Sequence, residues 1–343
     1  MTIREVAKAL GLGKTTVAAA LHDSRKVSVA TRERVKQRAR ELGYIANPVA
    51  SGFLRQVRSQ GVRRYRANLA LVIPMHADYH YLQELIKGAS ARCRELGYGL
   101  DVFRADSYEP EKLTRILLAR GILGVGIGPL DDPVGQITLD WSRFATAAYG
   151  YTMARPAIHR VVPYHLHGIR DAFRACIQKG FKRIGLALRT GDDQRSDRLW
   201  SAGYIDMQRS LPASRRLRPL LESEADYTKT RIRDWLRKER PDVVILQTSG
   251  DLLRTLDAAK KLPCVMLDLL PDDRVAGINQ QFSRCGALLI DLVSAQVLHN
   301  QRGIPETPTI SLVEGVWVDH PSFTVAKKPS RRDAYSNRGH DPI

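Results

Sequence analysis

The sequence predicts an α/β protein with a small, all-helical head and a larger core of parallel sheets flanked by helices. Short helical patterns fill the start of the chain, whereas strand-like and helical segments alternate from residue 68 onward. Charge divides the chain at the same place: residues 1–66 hold 15 Lys and Arg against 4 Asp and Glu, out of 54 and 36 in all 343 residues. We therefore expect two parts with different roles.

The first two helices are expected to form a tight pair. Thr2 is a favourable N-cap and Glu5 follows three residues later, as in a reciprocal capping box. Gly11 stands where a left-handed helix end is needed, and a second helix is predicted over 14–21. Two short helices joined by a glycine turn are typical of a helix-turn-helix, whose second helix enters the DNA major groove.

Two other interpretations of this segment are a plain helical hairpin and a nucleotide-binding loop suggested by GLGKTT. The loop needs a glycine where Lys8 stands and a strand where a helix is predicted. The chain also contains no nucleophile elbow and no HExxH pair. We therefore expect no enzyme and no cofactor.

Two further helices are predicted after the pair. Thr31 is the expected N-cap of the third, whose apolar stripe is Val35, Ala39 and Leu42. The fourth is short and begins at Asn47 as its N-cap.

The stretch VAKALGLGKTTVAAALHDSRKVSVATRERVKQRARELGYIANPVA resembles the DNA-binding head and hinge of a LacI-family transcription regulator. It combines the helix pair, V-S-x-x-T-R-x-R-V, L-G-Y-x-x-N and a hinge helix in that order. The resemblance implies a homodimer that binds a palindromic operator, acts as a repressor, and contacts DNA through Thr2, Lys14, Thr15, Thr16, Ala19, Asn47, Phe53 and Leu54.

Two of these positions depart from the family's pattern. Ala19 stands where many relatives have arginine, so the operator sequence does not carry over from a relative. Phe53 stands where leucine usually enters the minor groove, and Leu54 lies beside it. Packing against the core is the alternative role for Phe53.

Composition agrees with DNA binding and with a cytoplasmic protein. Concentrated positive charge in the head is the electrostatic footprint of phosphate binding. No apolar run reaches the roughly 18 residues of a membrane span, and the charged start of the chain does not resemble a signal peptide.

No metal site or disulfide is expected. The four cysteines, Cys93, Cys176, Cys264 and Cys285, lie far apart on mostly apolar stretches, which predicts buried free thiols. His76 and His80 resemble half of a metal site, but no third ligand has matching spacing.

The core is expected to alternate strands and helices. Strands are predicted at 69–74, 98–103, 122–128, 183–188, 243–248 and 263–268, and helices at 81–96, 109–119, 167–179, 198–210, 229–238 and 251–261. Such alternation predicts parallel sheets whose ligands bind beyond the carboxyl ends of the strands.

The core also resembles the family's effector domain, which is related to periplasmic sugar-binding proteins. IKGASARCRELGYGLDVF, DAFRACIQKGFKRIGLAL and AGINQQFSRCGALLIDLV carry this resemblance. It implies two subdomains, with a head at 1–46, a hinge helix and basic linker at 47–66, an N-subdomain at 67–160 and about 282–306, and a C-subdomain at 161–281 and about 307–325. The polar composition of 326–343 predicts a disordered tail.

The resemblance places a small-molecule effector, expected to be a carbohydrate, between the subdomains. The candidate contacts are His80, Tyr81, Arg198, Trp200, Thr248, Asp268 and Gln280. Trp200 replaces the usual arginine and can stack on a ring, although it can equally be a core residue, and Asp268 can equally cap a helix. Two rival functions stay open: a sugar-binding or sugar-processing protein, and an architectural DNA binder whose pocket senses nothing.

Overall fold

The computed structural model describes residues 3–21, 27–42, 67–73, 80–104, 110–247, 262–270 and 273–325. The chain divides into two compact units, Met1–Ala67 and Asn68–Ile343. This boundary lies where the composition of the chain changes. The predicted hinge helix, the helix predicted at 251–261 and the tail lie outside the described residues.

The first unit contains three helices, α1 (Ile3–Leu10), α2 (Lys14–Leu21) and α3 (Val29–Glu41). Their apolar faces meet in one small core. Its buried members are Val6, Ala7, Val17, Ala20, Val35 and Ala39, with Leu10, Leu12, Leu21, Val27 and Leu42 packed against them. The predicted packing of α2 on α1 and the apolar stripe of α3 are therefore confirmed.

Gly11 sets the turn between α1 and α2 by adopting the left-handed conformation at φ +63°. Its amide donates to the carbonyl of Lys8 at 3.3 Å, and the amide of Leu12 donates to the carbonyl of Ala7 at 3.1 Å. This pair of bonds is the Schellman arrangement, which favours glycine because glycine lacks a Cβ. The expected helix-turn-helix geometry is present.

The predicted N-cap of α3 is wrong. The helix begins at Val29, and the hydroxyl oxygen of Ser28 accepts a hydrogen bond from the amide of Thr31 at 3.3 Å. An N-cap side chain accepts from the second or third helical residue, so Ser28 is the cap and Thr31 lies inside the first turn. Ser28 and Thr31 are three residues apart, which is why both fit the sequence pattern.

The core contains two six-stranded sheets and one small parallel pair. In spatial order, the first sheet is β13-β7-β5-β3-β1-β2 and the second is β14-β12-β11-β10-β8-β9, while β4 pairs with β6. The strands are β1 (Asn68–Ile73), β2 (Gly99–Arg104), β3 (Ile122–Ile127), β4 (Gly135–Gln136), β5 (Ala145–Tyr149), β6 (Met153–Arg155), β7 (Arg160–Pro163), β8 (Ile184–Arg189), β9 (Leu220–Glu222), β10 (Val243–Leu246), β11 (Cys264–Met266), β12 (Ala276–Asn279), β13 (Ile310–Val313) and β14 (Val316–Val318).

Every pairing in these sheets is parallel except that of β12 with β14. Helices complete the two lobes, the first lobe being built on the first sheet and the second lobe on the second sheet. These helices are α4 (His80–Leu96), α5 (Pro110–Ala119), α6 (His165–Gln178), α7 (Thr190–Arg195), α8 (Leu199–Gln208), α9 (Lys229–Glu239) and α10 (Phe282–Leu298). The α/β fold class predicted from sequence is confirmed.

Helix α10 follows strands of the second sheet but packs on α4 in the first lobe. Two glycines allow the close approach. A Cβ on Gly88 would lie 1.8 Å from the Ser283 carbonyl oxygen, and one on Gly286 would lie 2.0 Å from the Leu85 carbonyl oxygen. The chain therefore returns to the first lobe at α10.

The chain passes between the sheets three times: between β7 and α6, between β12 and α10, and between β13 and β14. Two of these crossings lie one strand later than the subdomain bounds inferred from sequence. Arg160–Pro163 and Ile310–Val313 both belong to the first sheet, where they pair with each other.

Most predicted core elements are confirmed to within a few residues. Among the described residues, no helix combines the length and apolar character that a membrane crossing requires. All four cysteines are free, with Cys93, Cys176 and Cys285 buried and Cys264 half-buried.

Candidate functional site

The second helix of the head has one packed face and one accessible face. Val17 and Ala20 are fully buried against the other helices. Lys14 and Thr15, in the first turn, are exposed, while Thr16 and Ala19 are half-exposed. A lysine side chain can donate to base edges in the major groove, and a threonine hydroxyl can donate or accept there. The other expected DNA contacts, Thr2, Asn47, Phe53 and Leu54, lie outside the described residues.

A second candidate site lies in the core, where the carboxyl ends of the two parallel sheets face each other. Arg195 ends α7, which follows β8 of the second lobe. Its guanidinium donates to the carbonyl oxygens of Leu130 and Asp131, which follow β3 of the first lobe. These two bonds join the lobes directly across the cleft.

Other side chains also meet across this cleft. Tyr149 ends β5 of the first lobe, and burial, together with the charges of Cys285, Tyr81 and Asp268, holds its pKa well above the usual range. Asp268 belongs to the second lobe, two residues after the end of β11. The predicted pocket residues Tyr81 and Asp268 thus both raise the pKa of this first-lobe tyrosine.

A cation–aromatic pair lies nearby. The Arg160 guanidinium lies 5.9 Å from the ring centroid of Tyr151, and both belong to the first lobe. Burial lowers the pKa of Arg160, while the neighbouring Tyr151 and the second-lobe carboxylate of Asp197 favour its charged form.

The cleft end of the second lobe collects polar atoms that are buried and have no hydrogen-bond partner among the described residues. They are His165 Nδ1, Trp200 Nε1, Gln247 Oε1 and Gln280 Oε1. Trp200 is 5% exposed and Gln280 is 1% exposed. A buried polar group left unpaired costs about 1–3 kcal/mol, so these four atoms call for a polar partner such as a ligand or an ordered water.

The rings of His165 and Trp200 contact each other edge to face, with centroids 4.9 Å apart. Burial lowers the pKa of His165 to about 3, so its imidazole is neutral at physiological pH. The four unpaired atoms therefore belong to uncharged groups.

Neighbouring polar groups hold Trp200 and Gln280 in place. The buried carboxylate of Asp193 accepts from the Ser201 amide at 3.0 Å and from its hydroxyl at 2.6 Å, which fixes the first turn of α8 around Trp200. Gln280 donates from Nε2 to the carbonyl of Leu267, which leaves Oε1 directed elsewhere.

The remaining predicted effector contacts differ in their placement. Arg198 adopts the left-handed conformation at φ 58° before α8 and is exposed, so it does not join the buried group. His80 is the first residue of α4, and only its backbone is described. Thr248 and His76 lie outside the described residues.

Sequence reasoning missed His165, Gln247 and Arg195. His165 and Gln247 have no motif around them, and their importance comes from burial in the folded lobe. Only their positions in the sequence could have indicated them, because His165 and Gln247 each lie within two residues of a predicted strand or helix end at the cleft.

Residues 2–47 match the family model described as bacterial regulatory proteins, lacI family. The regulator NtdR of the NTD biosynthesis operon of Bacillus subtilis (strain 168) is 27% identical over 198 residues, which are 55% of each chain. This chain thus spans about half the length of that curated relative. The family resemblance seen in the sequence is confirmed.

Two solved structures share the fold along almost the whole chain. A complex of the transcriptional regulator CelR with cellobiose has a TM-score of 0.55 at 20% identity and covers 94% of this chain and 99% of that one. The lac repressor dimer bound to operator and the anti-inducer ONPF has the same TM-score, identity and coverage. NtdR is named as an operon regulator, in agreement with the expectation that this chain is not an enzyme.

Proposed function

We propose that this chain, whose head belongs to the lacI family of bacterial regulatory proteins, is a transcription repressor that binds a palindromic operator as a homodimer. The observation that carries this proposal is the exposed first turn of α2 within a domain that matches the family model. One recognition helix reads few base pairs, and a dimer doubles the site. A cytoplasmic location follows from this role.

Selection from a pool of random duplexes tests the DNA-binding part of the proposal. We expect the full-length protein to enrich a palindrome, and Lys14→Ala to lose preference at particular positions, because a good side-chain contact to a base discriminates by about 1–3 kcal/mol. Lys8→Ala is the matched control, since Lys8 is exposed on α1 and should leave the motif unchanged.

Enrichment of no motif by the wild-type protein would refute sequence-specific binding and favour an architectural role. An identical motif from the wild type and Lys14→Ala would remove Lys14 from the groove.

We further propose that the core cleft binds a neutral, polyhydroxylated effector such as a carbohydrate. The four unpaired atoms include an indole donor and two amide oxygen acceptors, all on uncharged groups. A hydroxyl group both donates and accepts, so it can satisfy either kind of atom. The cellobiose complex of CelR supports this choice of ligand class.

A thermal-shift screen of the full chain against neutral sugars, uronic acids, sugar phosphates and nucleosides tests the effector. A ligand at about 100 times its Kd adds roughly 2.7 kcal/mol, which raises Tm by several degrees. We expect the hit among the neutral sugars, and a hit restricted to phosphorylated or acidic compounds would contradict the proposal.

Two buried glutamines give a matched pair of variants for this screen. Gln280→Met removes the unpaired oxygen and should abolish the ligand shift. Gln296→Met should lower Tm but keep the ligand shift, because the Gln296 amide is bonded to the backbone of Thr146 and Leu292 in the first lobe.

A further inference from the structure

The end of the second lobe opposite the cleft carries a concentrated positive charge. Helices α6, α8 and α9 end there, and strands β8, β9 and β10 begin there. We call this surface the basic end and define it by seven residues: Lys182, Arg183, Arg209, Arg215, Arg216, Arg218 and Arg240.

Hydrogen bonds show that these residues lie together. Arg183 donates to the carbonyls of Ser214 at 2.8 Å, Arg240 at 3.0 Å and Glu239. Arg216 donates to the carbonyls of Leu211 at 2.9 Å and Arg209 at 3.1 Å. Arg183 thus joins the loop after α8 to the end of α9, and Arg216 holds that loop against the end of α8, so structural roles account for both.

The other five cations have no such role. Lys182, Arg209, Arg215, Arg218 and Arg240 are exposed, and within the described part of the chain their side chains form no hydrogen bond or ion pair. The partial negative charge at the carboxyl end of an α-helix stabilises a cation in its last turn. This effect does not account for Arg215 or Arg218, which lie between α8 and β9.

Few carboxylates offset this charge. Glu239 accepts from the backbone amide of Arg218 at 3.1 Å, and Asp242 accepts from those of Lys182 and Arg183 at 2.8 and 2.9 Å. Within the described part of the chain, the hydrogen bonds of the basic end thus involve two carboxylates, both bonded to main-chain donors, against seven cationic side chains. The remaining charge is available to an anionic partner.

The chemistry of the basic end fits a phosphate backbone better than a protein. Specific protein interfaces are anchored by aromatic or large apolar side chains. In the segments 182–183, 209–218 and 239–242 no large apolar side chain is exposed. Guanidinium groups match phosphate geometry, and arginine and lysine side chains supply many of the contacts that proteins make to the DNA backbone.

We propose that the basic end binds the phosphate backbone of duplex DNA without reading its sequence. This binding does not depend on the head. If the head binds an operator, as proposed above, one molecule can then hold a second DNA segment through its core.

The test uses the full-length protein and two charge-matched triple variants. R209Q/R215Q/R218Q removes three free cations of the basic end. K112Q/R155Q/R284Q removes three exposed cations elsewhere on the core, with the same change in net charge. Beads carry the operator obtained from the random-pool selection, and a fluorescent 30-base-pair duplex without that motif is the second segment.

We expect the wild type and K112Q/R155Q/R284Q to capture the second duplex, and R209Q/R215Q/R218Q to capture on the order of tenfold less. Anisotropy titrations of the motif-free duplex at several salt concentrations give the slope of log K against log salt. The magnitude of this slope should fall by about three in R209Q/R215Q/R218Q and should not change in K112Q/R155Q/R284Q.

Equal losses in both variants, or none in either, would overturn the proposal. Capture of an RNA hairpin or an acidic protein but of no duplex would also overturn it. If the selection yields no operator, the proposed function fails, yet the anisotropy titration still decides whether the basic end binds DNA.

Discussion

The two ends of the second sheet have opposite chemistry although the same strands connect them. At the carboxyl ends, Trp200 and Gln280 present uncharged polar atoms inside the protein. At the amino ends, Arg215 and Arg218 present charge to solvent. The cleft end suits a small neutral ligand that replaces water, whereas the basic end suits a large anion that stays hydrated.

The comparison shows that buried polar atoms can select strongly among ligands, whereas exposed polar groups select only weakly. A ligand that forms no hydrogen bond with a buried polar atom binds weakly, because the desolvation cost of that atom is not offset. An exposed arginine is hydrated whether or not a partner is present, so it contributes affinity with little selectivity. The comparison yields three tests.

Removal of Trp200 should have the largest effect. Trp200→Ala deletes a side chain that is 5% exposed and packs in the main core of the second lobe, so we expect a loss of about 3–5 kcal/mol in the free energy of unfolding. Urea titration measures it.

Trp200→Phe sharpens that result, because it keeps an aromatic ring but removes the N–H group. We expect most of the stability to remain while the ligand-induced rise in Tm becomes smaller. A full ligand response in Trp200→Phe would exclude the indole N–H from ligand binding.

The next effect is a dependence on pH. The pKa of His165 falls from 6.5 to about 3 on burial, so below pH 6.5 the unfolded chain binds a proton that the folded chain does not. Stability from this residue is complete above pH 6.5 and is lost as pH falls toward 3. Between pH 7.5 and 5 the loss should be about 2 kcal/mol.

His165→Asn isolates this contribution by comparison with the wild type at both pH values. The variant can be less stable at neutral pH, but its stability should fall by about 2 kcal/mol less on acidification. Parallel pH profiles for the two proteins would mean that His165 is protonated in the folded state.

The smallest effects distinguish the two kinds of arginine at the basic end. Arg183→Met removes three hydrogen bonds to carbonyl oxygens and should cost about 1–2 kcal/mol of unfolding free energy. Arg215→Met should change it by less than about 0.5 kcal/mol, since that side chain is exposed. Equal costs would show that Arg215 also has a structural role.

Elements fixed by local chemistry were predictable from the sequence. The turn at Gly11 and the helices on either side follow from residue spacing and from the conformational freedom of glycine. Longer core helices such as α4 and α9 were predicted to within one residue for the same reason.

Features that depend on distant parts of the chain were not predictable. β5 has the sequence ATAAY and is buried along its whole length, so it shows neither alternation nor strong strand propensity. The contact of His165 with Trp200, and the bonds of Arg195 across the cleft, join segments that are 35 and about 65 residues apart. Spacing along the chain holds no information about such contacts.

The three chain crossings lie against one another. The Tyr164 amide donates to the Val313 carbonyl at 2.7 Å, and a Cβ on Gly315 would lie 3.4 Å from the Asn279 carbonyl oxygen and 3.9 Å from Gln280 Oε1. The three connections between the lobes are therefore gathered in one place, and among the described residues no strand pairing joins the two sheets. Gln280 lies beside these connections, so we expect a ligand that bonds to its free oxygen to contact the place where the two lobes are joined.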